Sequence, residues 1–300
     1  MTSRPHERRL SMPTAEHRIP VALSTSSIYP LGVAEGFSIA EDLGYDAMEV
    51  MVTHRAETQQ SAVLNELSWR FGLPVTAIHA PTLLLTQQVW GSAWEKLRRS
   101  AKLAAAVGCD TVVAHPPFRW QAGYAERFAE GIATLEEDTG VRFAVENMYP
   151  WRAGGRTAAM YLPHWDPVDQ NYPHVTWDFS HAATAEADSL ESCRRLGGRL
   201  KHVHLTDGWS NGFKDDHLIP GHGEQPVAET LELIASPDFA DGEGFRGVVA
   251  VEVATRGAKQ VGEKERWLAE SLEFARHHLA RGASRAQASG SAHDTDEETH

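Results

Sequence analysis

Cysteine is nearly absent: Cys109 and Cys193 are the only two in a chain of 300 residues. Two thiols build no disulfide framework, which excludes the small cross-linked secreted scaffolds and makes a reducing, cytoplasmic setting the expectation. Long apolar runs are missing as well. No stretch approaches the roughly 18 residues that a membrane-spanning helix needs. The opening segment, MTSRPHERRLSMPTAEHR, has charge without the apolar core of a secretory signal. Positive charge is in deficit, with 28 Lys and Arg against 41 Asp and Glu and a formal net charge of −13. The acidic excess lies mainly in the body of the chain, because residues 1–20 are net basic and 282–300 hold only a few acids. Such a body is a poor partner for nucleic acid or anionic membrane unless cations are focused locally. No glycine-rich phosphate loop follows the first β-rich run, where SSIYPLG stands, and this counts against a doubly wound dinucleotide-binding sheet.

The apolar fraction is 42 %, enough for a large core. Between polar ends the chain alternates. Eight β-rich runs occur at 21–26, 47–52, 75–80, 110–115, 142–147, 174–179, 200–205 and 247–253. Helical stretches fit between them at 33–44, 57–72, 91–107, 124–138, 185–196, 226–236 and 259–280. Trp94, Leu97, Ala101, Ala104 and Ala105 show the helical spacing of apolar residues. Gly44, Gly72, Gly108 and Gly140 each stand after a helix and before a strand, the position where glycine ends a helix without a Cβ clash. Strand alternating with helix means a parallel sheet, and eight such units close most simply into a single (β/α)8 barrel. The expected organisation is one barrel over 19–281, with disordered tails at 1–18 and 282–300.

Histidine is abundant, at 16 residues, and its placement carries the chemistry. The third strand ends in His79, the fourth in His115 and the fifth in Glu146. The sixth ends in Asp178, with His181 three residues on, and the seventh ends in His204 ahead of a loop bearing Asp215 and His217. The eighth ends in Glu252. In a barrel all these ends open at one mouth. A lone histidine at a strand end is usually a hydrogen-bonded structural residue. Six consecutive ends bearing imidazole or carboxylate are a different matter. Without thiols, that set suits Zn²⁺, Mn²⁺ or Fe²⁺.

These residues resemble the xylose isomerase-like TIM-barrel superfamily, which takes in sugar isomerases and epimerases and the endonuclease IV-type apurinic-site nucleases (AP endonuclease family 2). The resemblance covers roughly 21–281 and looks strongest to uncharacterised actinobacterial members. It implies one divalent metal held by Glu146, Asp178, His204 and Glu252, as in the sugar-acting branch. The nuclease branch implies three metals: one on His79, His115 and Glu146, a second on the four-residue set, and a third on His181, Asp215 and His217. The cofactor expected from the resemblance is therefore Zn²⁺ or Mn²⁺, one to three per chain.

Two activities follow from the resemblance. The first is a metal-dependent isomerase or epimerase acting on a small sugar, polyol or sugar phosphate through an enediolate. Glu146 and Glu252 would exchange protons and His181 would hold a substrate hydroxyl. The second is metal-assisted phosphoester hydrolysis of the apurinic-site nuclease type. The mouth loops hold scattered cations, with Arg119, Arg152 and Arg156 as candidate phosphate contacts and Trp120 and Trp151 as a candidate stacking wall over substrate. So few cations on an acidic body lead to an expectation of weak or absent duplex-DNA binding. His202 shares strand parity with His204 and is expected to be a buried, hydrogen-bonded residue one layer deeper. Glu49 on the second strand is a further acid of uncertain role. The choice between monomer and homo-oligomer stays open at this level.

Overall fold

Parallel pairing runs all the way round. In the computed structural model, which describes residues 18–82, 86, 88–153, 156–210 and 214–290, the strands in chain order begin with β1 (Val21–Ser24), β2 (Ala47–Met51), β3 (Val75–His79), β4 (Thr111–Ala114) and β5 (Arg142–Glu146). A short antiparallel hairpin, β6 (Trp151–Ala153) with β7 (Arg156–Ala158), interrupts the series. The barrel then resumes with β8 (His174–Asp178), β9 (Leu200–Leu205) and β10 (Val248–Val251). Eight strands close in the order β1-β10-β9-β8-β5-β4-β3-β2. All neighbours are parallel, including the closing pair with Val21 opposite Val249.

The helices are α1 (Val33–Leu43), α2 (Ser61–Phe71), α3 (Ala93–Val107), α4 (Ala122–Ala125), α5 (Phe128–Thr139), α6 (Phe179–Ala185), α7 (Ser189–Leu196), α8 (Val227–Ala235) and α9 (Glu263–Gly290). They stop where the glycines stand. Gly44 and Gly108 both have φ of 79°, and their N–H groups return to the last carbonyls of α1 and α3. A side chain at this φ would cost roughly 1–2 kcal/mol, which is why glycine is used. The main core lies between strands and helices. Phe37, Leu64, Leu97, Phe143, Trp177 and Leu268 are fully buried there, each contributing on the order of 1.5–3 kcal/mol of transfer free energy.

Three details depart from the sequence expectation. Phe179 opens α6 rather than closing the sixth barrel strand, because the Asp178 carboxylate accepts from the His181 N–H and starts a helix immediately after β8. The hairpin β6–β7 lies within what reads as an open loop. The last helix continues through Gly290, past the expected helix end at 280, because the Ala-rich run ASRAQAS contains no breaker until Gly290. Residues 282–290, expected to belong to a disordered tail, are therefore helical, and the rest of the expected tails, at 1–17 and 291–300, lies outside the described residues.

Candidate metal centre and active site

Because the strands are parallel, their C-terminal ends share one mouth. Glu146 closes β5, Asp178 closes β8, His204 lies near the end of β9 and Glu252 follows β10. All four are buried, and one ligand atom from each lies within 4.8 Å of the others. The His204 ring is the hub. Its Nδ1 lies 2.9 Å from Glu146 Oε1, 2.8 Å from Glu252 Oε2 and 3.7 Å from Asp178 Oδ2. Asp178 uses its other oxygen structurally: Oδ1 accepts from the His181 N–H at 2.7 Å and from Thr206 Oγ1 at 3.3 Å. Asn147 fixes the same backbone, accepting from the Asp178 N–H at 2.6 Å and donating to its carbonyl at 2.9 Å.

Glu146 also faces a second group. Its Oε2 is 3.0 Å from His115 Nε2 and 3.4 Å from His79 Nε2. The His79 Nδ1 lies 3.0 Å from the Ala80 carbonyl, which requires an Nδ1–H donor, so in the neutral ring Nε2 is the nitrogen with a lone pair for a cation. A third group stands beside these. His181 Nε2 and His217 Nε2 lie 3.3 and 3.1 Å from Asp215 Oδ2, while Ser180 Oγ donates to Asp215 Oδ1 at 2.6 Å. Asp178, His181 and His217 also place ligand atoms within 4.8 Å of one another. His217 has a φ of 45°, uncommon for a residue with a side chain. Its N–H donates to Ser180 Oγ at 2.9 Å and its Nδ1 donates to the Glu252 carbonyl at 2.7 Å, which holds it there.

Behind the hub lies a layer whose connection the sequence does not reveal. His202 is fully buried, and its Nε2 is 2.7 Å from Glu49 Oε2; the same oxygen is 3.2 Å from His204 Nε2. Glu49 accepting from the His204 Nε2–H turns Nδ1 toward the carboxylates of the mouth, where the protonated ring donates to Glu146 Oε1 and the neutral ring offers its lone pair to a cation. The only cue in the sequence is parity, since Glu49, His202 and His204 all stand at inward-facing strand positions. The loop carrying Asp215 and His217 is pinned by a second unexpected residue. Asp207, fully buried, accepts backbone N–H bonds from Gly208, Gly221, Gly223 and Gln225 at 2.8–3.2 Å.

The electrostatics follow from burying so many charges together. Burial disfavours the Glu146 carboxylate, yet the surrounding His204, His115 and His181 rings hold it well below the usual carboxylate range. Glu49 behaves likewise between His204 and His202. Burial pushes Asp178 up, with the neighbouring Glu146 charge adding to it. Burial opposes charge on His204, but Glu252, Glu146 and Glu49 lift it well above its ordinary value. His217 rises to about 10 against burial, through Asp215 and Asp178. His115 moves the other way, driven down by burial toward the neutral, ligating form.

A cavity of about 540 Å³ opens above this floor. His79, His115, Glu146, His181, Asp215, His217 and Glu252 line its inner end. Its other walls include Ser26, Ile28, Tyr29, Leu31, Arg55 and the segment from Glu252 to Arg256, on the β1, β2 and β10 side of the mouth. Arg119, Arg152, Arg156, Trp120 and Trp151 are not among the residues lining it. Trp120 stacks on Phe118 with ring centroids 4.6 Å apart and meets Trp151 edge-on at 6.4 Å. Arg152 donates to the Thr184 carbonyl at 3.0 Å and pairs with Glu186 at 3.3 Å. Arg119 and Arg156 are exposed. The aromatics satisfy one another and the arginines serve the loop, so this cavity is built without them.

The donor set suits a cation. Asp178 Oδ2 and Glu146 Oε2 are buried without a hydrogen-bond partner, a costly state that a cation at the convergence of Glu146, Asp178, His204 and Glu252 relieves. Oxygen and imidazole donors without thiolate fit Zn²⁺ or Mn²⁺.

Fold and site together define a (β/α)8 barrel with a carboxylate- and imidazole-lined centre at its mouth. The chain belongs to the xylose isomerase-like TIM barrel family, which it matches over residues 37–278. An uncharacterised protein of Mycobacterium tuberculosis (strain H37Rv) is 44 % identical over 283 residues, covering 88 % of this chain and 99 % of the relative. Among solved structures, a D-tagatose 3-epimerase-like protein superposes with a TM-score of 0.60 at 22 % identity, covering 87 % of this chain and 100 % of the other. The IolI protein, solved with a bound zinc atom, superposes with a TM-score of 0.60 at 17 % identity, covering 89 % and 99 %. Among the described residues, no helix is long and apolar enough to cross a membrane.

Proposed function

We propose that this chain is a divalent-metal-dependent isomerase or epimerase acting on a small sugar, polyol or sugar phosphate. The observation that carries the reading is the convergence of Glu146, Asp178, His204 and Glu252 within 4.8 Å, buried beneath a cavity large enough for a small sugar or sugar phosphate. The family membership and the likeness to an epimerase-like structure support it. A cation on those four residues supplies Lewis-acid polarisation of a carbonyl and an adjacent hydroxyl. The rest falls to the chain. Glu146 and Glu252 face each other across His204 and both line the cavity. One takes the proton next to the carbonyl and the other returns a proton to the opposite face, the enediolate lying between them. His181 Nε2 is positioned to hold a substrate hydroxyl in place of Asp215. The walls of the cavity keep bulk water from the reacting carbons. The test is proton NMR of a Mn²⁺- or Zn²⁺-reconstituted sample in heavy water with a panel of ketoses and ketose phosphates. Solvent deuterium appearing beside the carbonyl supports the reading; no exchange and no isomer from any member of the panel contradicts it.

A second reading keeps a specific observation of its own. The Glu146 carboxylate reaches toward His204 with one oxygen and toward His79 and His115 with the other. A bridging carboxylate between cations about 3.5–4 Å apart is the arrangement of metal-assisted phosphoester hydrolases. Three metals per chain, with cleavage of a phosphodiester, would favour that reading. One metal and no cleavage favours the isomerase.

A further inference from the structure

The walls of the cavity differ in charge. The floor is carboxylate and imidazole, but the outer rim on the β1–β2–β10 side carries Arg55 and Arg256. Both arginines lie against one turn. Arg55 Nη2 donates to the Pro30 carbonyl at 2.6 Å, while its Nη1 stands 3.5 Å from Glu57. The Arg256 guanidinium lies over the Tyr29 ring, 4.1 Å from its centroid. Lys264 Nζ donates to the Ile28 carbonyl of the same turn at 2.8 Å. A guanidinium that rests its face on an aromatic ring keeps its in-plane N–H donors free. Among the described residues, no carboxylate pairs with Arg256 within 4.0 Å. The chain itself measures the span: Glu252 belongs to the floor, Arg256 to the rim, and Val253, Ala254 and Thr255 line the wall between them. Four residues reach at most about 14 Å when extended, which keeps floor and rim within one cavity of small-molecule size.

We infer that the Arg55–Arg256 rim is an anion subsite, and that the substrate is a polyhydroxy carbonyl compound with a terminal phosphate or carboxylate. The hydroxy-carbonyl end meets the floor, and the oxyanion end meets Arg256 in plane with Arg55 beside it. This rests on the isomerase reading for the orientation of the substrate, but the anion contact can be measured without turnover.

The experiment is calorimetric titration of the metal-loaded protein at physiological ionic strength with ribulose phosphate, ketogluconate and neutral ribulose. Wild type should bind at least one of the two anions about tenfold or more tighter than ribulose, and whichever anion is preferred identifies the terminal group. In Arg256→Met that preference should collapse toward parity, and in Arg55→Met it should fall severalfold. Arg98→Met on the outer face of α3, which changes net charge equally, controls for the general field of the protein. Equal affinity for charged and neutral probes in wild type, or an anion preference that survives Arg256→Met, overturns the subsite. An Arg256-dependent preference with no deuterium exchange on any ketose keeps the subsite and removes the isomerase. Exchange on ketoses without anion preference does the reverse.

Discussion

The two halves of the barrel mouth solve opposite problems. On the β4–β5–β8 side, Phe118, Met148 and Tyr161 are buried in a small satellite cluster with Met160 and Trp165 packed against it. Trp120 caps that cluster by stacking on Phe118. On the β1–β2–β10 side the rim stays open, with Tyr29 and Leu31 exposed beside Arg55 and Arg256. Aromatic density marks the sealed half, and two arginines stand on the half that stays open. Counting aromatic and cationic residues along the sequence draws attention to the sealed half, because it cannot tell rings that satisfy each other from rings left facing a cavity.

The shared floor is where the largest effect is expected. Glu146→Gln keeps the shape but removes the anion that faces both His204 and the His79–His115 pair. Bound metal should fall by orders of magnitude when measured by mass spectrometry after dialysis against buffered Mn²⁺. Retention of full metal content would break the link between the two halves through Glu146.

Next comes the loop between the halves. Asp207→Ala removes the acceptor for four buried or half-buried backbone N–H groups. A loss of about 3 kcal/mol or more is expected in denaturant unfolding, with faster hydrogen exchange over 206–225. Asp207→Asn, which retains a carbonyl acceptor, should recover part of it. An unchanged exchange pattern in the alanine variant would show that Asp215 and His217 are held by other contacts.

The sealed half gives the sharpest contrast with the open one. Phe118→Ala empties a buried site stacked against two rings. It should cost about 3 kcal/mol of stability and leave metal content intact. Trp120→Ala, at 54 % exposure, should cost about 1 kcal/mol or less. If either variant weakens sugar binding more than Arg256→Met does, the assignment of the entry side is wrong.

The smallest effect is a pH dependence. His217 is raised from 6.5 to about 10 in the folded state, so its pairing stabilises the metal-free protein fully below pH 6.5 and is lost as pH rises through about 10. Thermal unfolding of metal-free protein across that window should show a falling midpoint, and His217→Gln should flatten the slope. Metal should reverse the trend, because binding to neutral imidazoles releases protons and strengthens with pH.

Much of this architecture was legible because it rests on local rules. Gly44 and Gly108 stop helices by backbone conformation, the β-rich runs are buried on both faces, and parallel strands send His79, Glu146, Asp178 and His204 to one mouth. What stayed hidden depends on packing between loops. The choice of Phe179 as a helix start turns on one carboxylate–amide bond. The pairing of Glu49 with both His202 and His204 joins residues from strands on opposite sides of the barrel. The grip of Arg55 and Arg256 on the Tyr29–Pro30 turn needs three loops to meet, which no spacing in the chain announces.

The measurement that bears most directly on the account is anomalous diffraction from crystals grown with Mn²⁺ at stoichiometric concentration. A metal centre there places a peak within bonding distance, about 2.0–2.3 Å, of Glu146, Asp178, His204 and Glu252. Its absence, with His204 Nδ1 hydrogen-bonded to Glu146 and in contact with Glu252 instead, would contradict the metal centre on which the proposed chemistry depends.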